Sequence, residues 1–233
     1  MIAALGAGLD VVFDCAATLV DFTGALVRIE TSQGDMRARA VIITVSTNVL
    51  CGGALRFRPD LPDKMEAASV LPLGLADKLF LGLDGAEEFP EESRVIGSDD
   101  TSGTGAYHMR PFGRPLIEAY FGGSLARELE ARGDAAFAAF ANDQLAALLG
   151  SGIRKRLHPI AVSAWGRDPD ARGSYSHALP GHADARHVLA TPVAARLFFA
   201  GEACSVHDFS TAHGAWRTGI AAADAAIAAT TNP

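Results

Sequence analysis

The chain has 233 residues, 49% hydrophobic and 20% charged, which suffices for a sizeable core in one large domain or two small ones. A net charge of −7, with no basic run interleaved with aromatics, argues against nucleic acid as the default partner. No apolar run reaches the roughly 20 residues a bilayer span needs. Met1–Leu9 lacks the basic start of a signal peptide, and Cys15, Cys51 and Cys204 have neither disulfide-framework nor zinc-ribbon spacing, so a reducing cytoplasm is the expected location.

From Val11 to Val45 the pattern is that of strands. Apolar runs at Val11–Phe13 and Leu19–Phe22 precede alternation from Leu26 to Thr31 and a turn at Gln33-Gly34-Asp35. The run Val41-Ile42-Ile43-Thr44-Val45 is continuous, which suits a strand covered on both faces. Two prolines in Phe57-Arg58-Pro59-Asp60-Leu61-Pro62 interrupt regular structure. A helix over Asp63–Val70 with Asp63 as its cap comes next, then a strand over Lys78–Leu83 and a polar loop or hairpin over 87–105.

Leu116–Phe121 reads as a strand. Ser124 is placed to cap a helix that ends at Arg132, and Asp134 to cap a second, whose Phe137, Phe140, Leu145 and Leu148 follow helical spacing until Gly150 stops it. Pro159–Trp165 returns as a strand, 166–192 as a loop, Leu197–Ala200 as a strand and Gly214–Ala229 as the closing helix. The junction Leu197-Phe198-Phe199-Ala200-Gly201-Glu202 followed by His213-Gly214-Ala215-Trp216-Arg217-Thr218-Gly219 is strand, glycine turn, loop and helix start. Glycine leaves the backbone approachable there, and the positive end of the helix dipole suits an anionic or electron-rich ligand.

Three ordered motifs carry a resemblance: Phe-Ala-Gly-Glu with His213-Gly214-Ala215, the segment Trp165, Asp168-Pro169 and Gly173-Ser174-Tyr175-Ser176, and Pro72-Leu73-Gly74-Leu75-Ala76-Asp77-Lys78. Together they resemble the C-terminal half of the flavin-dependent amine oxidases, over nearly the whole chain. The Gly-x-Gly-x-x-Gly unit with which that family holds the FAD pyrophosphate is not found here; Gly6-Ala7-Gly8 is followed by Val11 where the third glycine would stand. The chain therefore reads as a fragment, a truncated frame or one subunit of a split oxidase.

The resemblance implies an α/β fold, with a partial FAD-binding (Rossmann-like) domain made of 1–56 and 184–233 and a mixed-sheet substrate domain with helices over 57–183. It implies oxidation of a C–N bond at a non-covalent FAD, since Ser174 stands where flavin-linked members carry cysteine, with a small amine and oxygen as substrates. Lys78 would hold a water near the flavin. Its strand buries alternate residues, so a partly buried ammonium is expected. Tyr175 would form one wall of an aromatic cage that orients the amine. The second wall falls on Thr211, a departure that is similar to the demethylase-like branch. Trp165 would flank the flavin, Gly201 and Glu202 would meet its ribityl-phosphate part, the Ala212 N–H its O2 edge, and the Ala17 main chain its adenine.

Other clusters are weaker. His177, His182 and His187 recur every five residues near Asp184, a period that matches no helical face, and no metal is expected. Ser205, His207, Asp208 and Ser210 imitate a hydrolase set without a G-x-S-x-G elbow. A related flavin enzyme acting on C–C bonds, a non-catalytic remnant, and a separate chain supplying the missing half all remain open.

Overall fold

The computed structural model describes residues 2–98 and 102–231 and shows an α/β chain with several sheets. The first sheet has strand order β3-β2-β1-β5, where β1 is Ala17–Asp21, β2 Val27–Thr31, β3 Gly34–Ala38 and β5 Arg56–Arg58. β1 and β2 are antiparallel, β1 and β5 parallel. The tight β2–β3 connection falls at the expected turn, with Gly34 at φ 122°. Between them in sequence, β4 (Val41–Ile43) pairs instead with the distant β13 (Leu197–Phe199), in parallel.

The second sheet has order β11-β7-β10-β9-β8: Leu157–Val162, Ala76–Leu83, Leu116–Gly122, Ala106–Met109 and Ser93–Ile96, all antiparallel. One face of it is covered by α4 (Gly123–Arg132) and α5 (Asp134–Leu149), and the core between them contains Leu79, Leu81, Tyr107, Ile117, Phe121 and Phe137. Asp99, Asp100 and Thr101, in the middle of the loop expected over 87–105, lie outside the described residues, as do Met1, Asn232 and Pro233.

Several boundaries move for identifiable reasons. The helix expected from Asp63 is α3 (Pro62–Ser69), entered through Leu61 with no side-chain cap and with Pro62 in the first turn, where a missing N–H costs nothing. α4 starts at Gly123, so Ser124 lies inside it rather than at its cap. α1 (Ile2–Leu5) and α2 (Thr47–Cys51, capped by Ser46) are short, and Val11–Phe13 form no strand: those side chains are exposed. The stretch read as loop over 166–192 contains β12 (Tyr175–Ser176), paired with β6 (Leu73–Gly74), and α6 (Ala185–Ala190), too short for a clear period.

A second core joins Val20, Val27, Leu197 and Phe199 to Phe57, Leu61, Ala67, Ala68 and Leu71. The packing thus changes from one core to the other after Leu71, whereas the seam expected at residue 57 falls inside the second core. Lys64 is buried in it: its ammonium donates to the carbonyls of Val188, Leu189 and Thr191, at the end of α6, and lies 4.6 Å from the Phe199 ring centre. The chain closes with α7 (Ala212–Thr231), which packs on β13 and β4 through Ala222 and Ala226.

Candidate functional site

β4 and β13 run parallel and end side by side, which is where open parallel sheets place their ligands. A cleft of about 250 Å³ opens there, lined by Thr44–Ser46 after β4, by Ala200–Glu202 after β13 and by Ala215 in the first turn of α7. Gly201 has φ 131°, and nothing stands within 4 Å of where a Cβ would be, so its bare backbone faces open space. The Thr218 hydroxyl accepts from the Gly201 N–H at 3.0 Å and lies 2.9 Å from its carbonyl, tying the glycine turn to the helix.

The helix start is built by short polar side chains. Thr211 caps α7, its hydroxyl accepting from the Gly214 N–H at 3.0 Å and donating to the Asp208 carbonyl at 2.6 Å. A Cβ on Gly214 would stand 2.0 Å from the Asp208 carbonyl oxygen, so only glycine allows this approach. Ala212 is exposed at the first position of α7. Glu202 turns its carboxylate inward to accept from the Ser176 amide and hydroxyl and from the Ser210 amide, at 2.7–2.9 Å. The buried Arg186 supports it by donating to the same Ser176 hydroxyl at 2.9 Å.

A second group of residues lies on the open face of the large sheet. Lys78 points away from the core, with 47% of its side chain exposed and its ammonium against Glu118. The partly buried ammonium expected from the strand pattern is thus corrected: Asp77 and Leu79 take the buried positions, and Lys78 takes the outward one. Its register partner on β10 is Tyr120, whose hydroxyl lies 2.7 Å from that of Tyr175. Burial, then the bond to Tyr175, pushes the Tyr120 phenol up to about 12. Lys78, Glu118, Tyr120 and Tyr175 therefore form one surface, an ion pair beside two phenol rings.

Trp165 is 45% exposed, and its main chain is fixed at both ends: its N–H donates to Asp77 Oδ1 at 3.1 Å and its carbonyl accepts from Gly173 at 2.8 Å. Ser174 lines the cleft beside Gly173, which connects this segment to the Gly201 turn. Ala17 lies apart, exposed at an irregular register step in β1, and does not line the cleft. Tyr120 and Glu118 carry no motif, and only the pairing of β10 with β7 reveals them; the bonds of Ser176 and Ser210 to Glu202 come from the folding of the 202–210 loop. Among the described residues, no three of His, Cys, Asp and Glu gather as a metal site requires, and no helix is long and apolar enough to cross a membrane.

The family model described as flavin containing amine oxidoreductase matches residues 1–227. The chain is 33% identical over 232 residues to polyamine oxidase 4 of Oryza sativa subsp. japonica, covering 96% of this chain and 46% of that protein. With polyamine oxidase 2 of Arabidopsis thaliana it shares 34% over 230 residues, covering 94% and 45%. A solved structure of a putrescine oxidase redesigned in its cofactor binding has the same fold, with a TM-score of 0.72 at 19% identity over 95% of this chain and 50% of that one. The chain spans about half the length of these relatives.

Proposed function

The chain belongs to the flavin-containing amine oxidoreductase family, and we propose that it carries the substrate-facing part of an FAD-dependent oxidation of polyamines. The observation that carries this reading is the Lys78–Tyr120–Tyr175 surface, on the same chain as a cleft at the ends of β4 and β13 whose wall is the bare backbone of Gly201. The substrate class comes from the printed names of the relatives, two polyamine oxidases and a putrescine oxidase.

The cleft fits part of a flavin nucleotide. Gly201 leaves room against the backbone, and α7 presents the N–H groups of Ala212 and His213 ahead of the capped Gly214, which suit an electron-rich ring edge. Gly201, Ser174, Trp165 and Ala212 would hold the group, and Glu202 would act through Ser176 and Ser210 by fixing the loop. Ser174 offers no thiol, so the cofactor is held without a covalent link. The pyrophosphate needs a glycine-rich unit that is not among these 233 residues, and we assign it to another segment or a separate chain. When bound, FAD supplies the acceptor for a hydride from the carbon beside the substrate nitrogen.

The chain's own residues position the substrate and handle protons. The Tyr175 ring, held by Tyr120, faces the cationic amine and orients it. Glu118 holds Lys78 in place, and the ammonium orders a water and relays protons at Nζ. The chemistry the bound group would supply turns the amine and oxygen into an imine, open to hydrolysis by water, and hydrogen peroxide. A cytoplasmic setting suits the free cysteines.

The test is peroxide release from spermine or spermidine by the flavin-loaded protein and its Lys78→Met variant. Retained flavin with activity reduced at least tenfold supports the reading. Full activity in the variant contradicts the role given to Lys78, and a flavin-loaded parent that releases no peroxide from either amine favours the alternative, oxidation of a C–C bond.

A further inference from the structure

Two carboxyls on the buried side of the Lys78 strand are unused by the reaction proposed above. Asp77 is 0% exposed, and Glu130, on α4, is 6% exposed. Asp77 Oδ1 accepts from the Ser163 hydroxyl and the Trp165 N–H, both at 3.1 Å, while Oδ2 is buried without a partner. Glu130 Oε1 accepts from the Gly166 N–H at 2.8 Å. Two consecutive amides, those of Trp165 and Gly166, therefore hang from two carboxyls on different elements. Glu130 lies tight against Gly166: a Cβ there would stand 2.5 Å from Glu130 Oε2.

We propose that Asp77 and Glu130 are positioning residues that share one proton and thereby fix the Trp165 main chain against the Lys78 strand. Two buried carboxylates at one site repel each other, and a proton between them turns repulsion into a hydrogen bond. The unpartnered Asp77 oxygen is the atom left to carry or receive it. Burial first, then the neighbouring Glu130, pushes Asp77 up to about 6, against the pull of the Trp165 amide. Loss of the proton sets the carboxyls apart, and the Trp165–Gly166 segment moves with them. The consequence for the flavin wall rests on the reading of Trp165 given above; the coupling itself does not.

The surroundings contain few other groups that titrate in this range. Arg127, Arg167 and Arg172 line the adjoining cleft, and Asp134, at the start of α5, is paired with Arg167. Asp168 accepts from the amides of Asp170 and Ala171. Phe121 faces Asp77 from β10, and His158 on β11 is paired with Asp84. Lys78 and Glu118 occupy the opposite face of the sheet, and the His177 ring lies beside Gly74.

The chain has two tryptophans, so a Trp216→Phe variant leaves Trp165 as the sole indole. Its fluorescence is followed from about pH 4.5 to 8 at constant ionic strength. The expected result is one transition near 6 that vanishes in Asp77→Asn and in Glu130→Gln, each leaving a pair with at most one charge. Emission flat with pH in the parent, or the same transition surviving in either variant, overturns the proposal; if one variant does not fold, the other decides. Failure of amines to reduce the flavin would sink the proposed function and leave this result standing.

Discussion

The hydroxyls of Tyr120 and Tyr175 stand 2.7 Å apart, bridging the central β10 to the two-residue strand β12. The bond joins a residue from the register row of Lys78 to one from the cleft segment that contains Gly173 and Ser174. Tyr175 is therefore supported from the sheet, which a lone tyrosine in a loop would not be.

Tyr120→Phe removes this support without removing a ring. Both phenols are 40% exposed, so the cost in stability is small, about 1 kcal/mol or less. Steady-state kinetics of the flavin-loaded enzyme are expected to show KM for the polyamine raised several-fold, with kcat less affected. An unchanged KM would remove Tyr120 from the site.

Gly214→Ala tests the helix start. Alanine is the better helix former by about 1 kcal/mol, but its Cβ would meet the Asp208 carbonyl oxygen at 2.0 Å, and backbone cannot step aside cheaply. The variant is expected to lose about 2 kcal/mol or more. Urea denaturation would show this as a lower midpoint at unchanged slope. A stabilised variant would mean that α7 starts differently.

The strands β7 and β10, the helices α3, α4, α5 and α7 and the strand–glycine–helix junction are legible in the sequence because each has its own period or stop signal, whereas β5 falls among prolines that read as irregular. Gly150 ends α5 at φ 92° as its position suggests. Lys78 shows the limit of that reading. Alternation along β7 says that every other residue is buried, but Asp77 and Lys78 are both charged neighbours, and the pattern alone does not say which one turns inward. Tyr120 and Glu130 carry no local signal at all, since their roles come from the pairing of β10 with β7 and the packing of α4. Thr211 was read by count as a cage position, and its hydroxyl is engaged in capping α7.

Lys64→Met tests the buried cation. The substitution keeps the stem and leaves the carbonyls of Val188, Leu189 and Thr191 without their donor. A loss of about 2–4 kcal/mol is expected, seen as a lower urea midpoint. Wild-type stability in the variant would mean that water replaces the ammonium at no cost.

Asp77 also sets a pH dependence of stability. Its folded pKa is raised, to about 6 from 3.8, so between these values the folded chain holds a proton that the unfolded chain has released. This contribution is fully present below about pH 4 and is lost as pH rises through about 6, amounting to at most about 3 kcal/mol. Urea midpoints at about pH 4.5 and 7 should therefore differ less in Asp77→Asn than in the parent. An identical pH slope in both would show that the carboxyl is ionised throughout.

The proposed function requires that this chain bring an amine to a flavin. The chain is purified with FAD, alone and after co-expression with the sequence encoded immediately upstream, and its visible absorption is followed under nitrogen as spermine or spermidine is added. Flavin bands that bleach with the amine and return with oxygen are the expected result. Bound flavin that no polyamine bleaches, or no flavin under either condition, would contradict it.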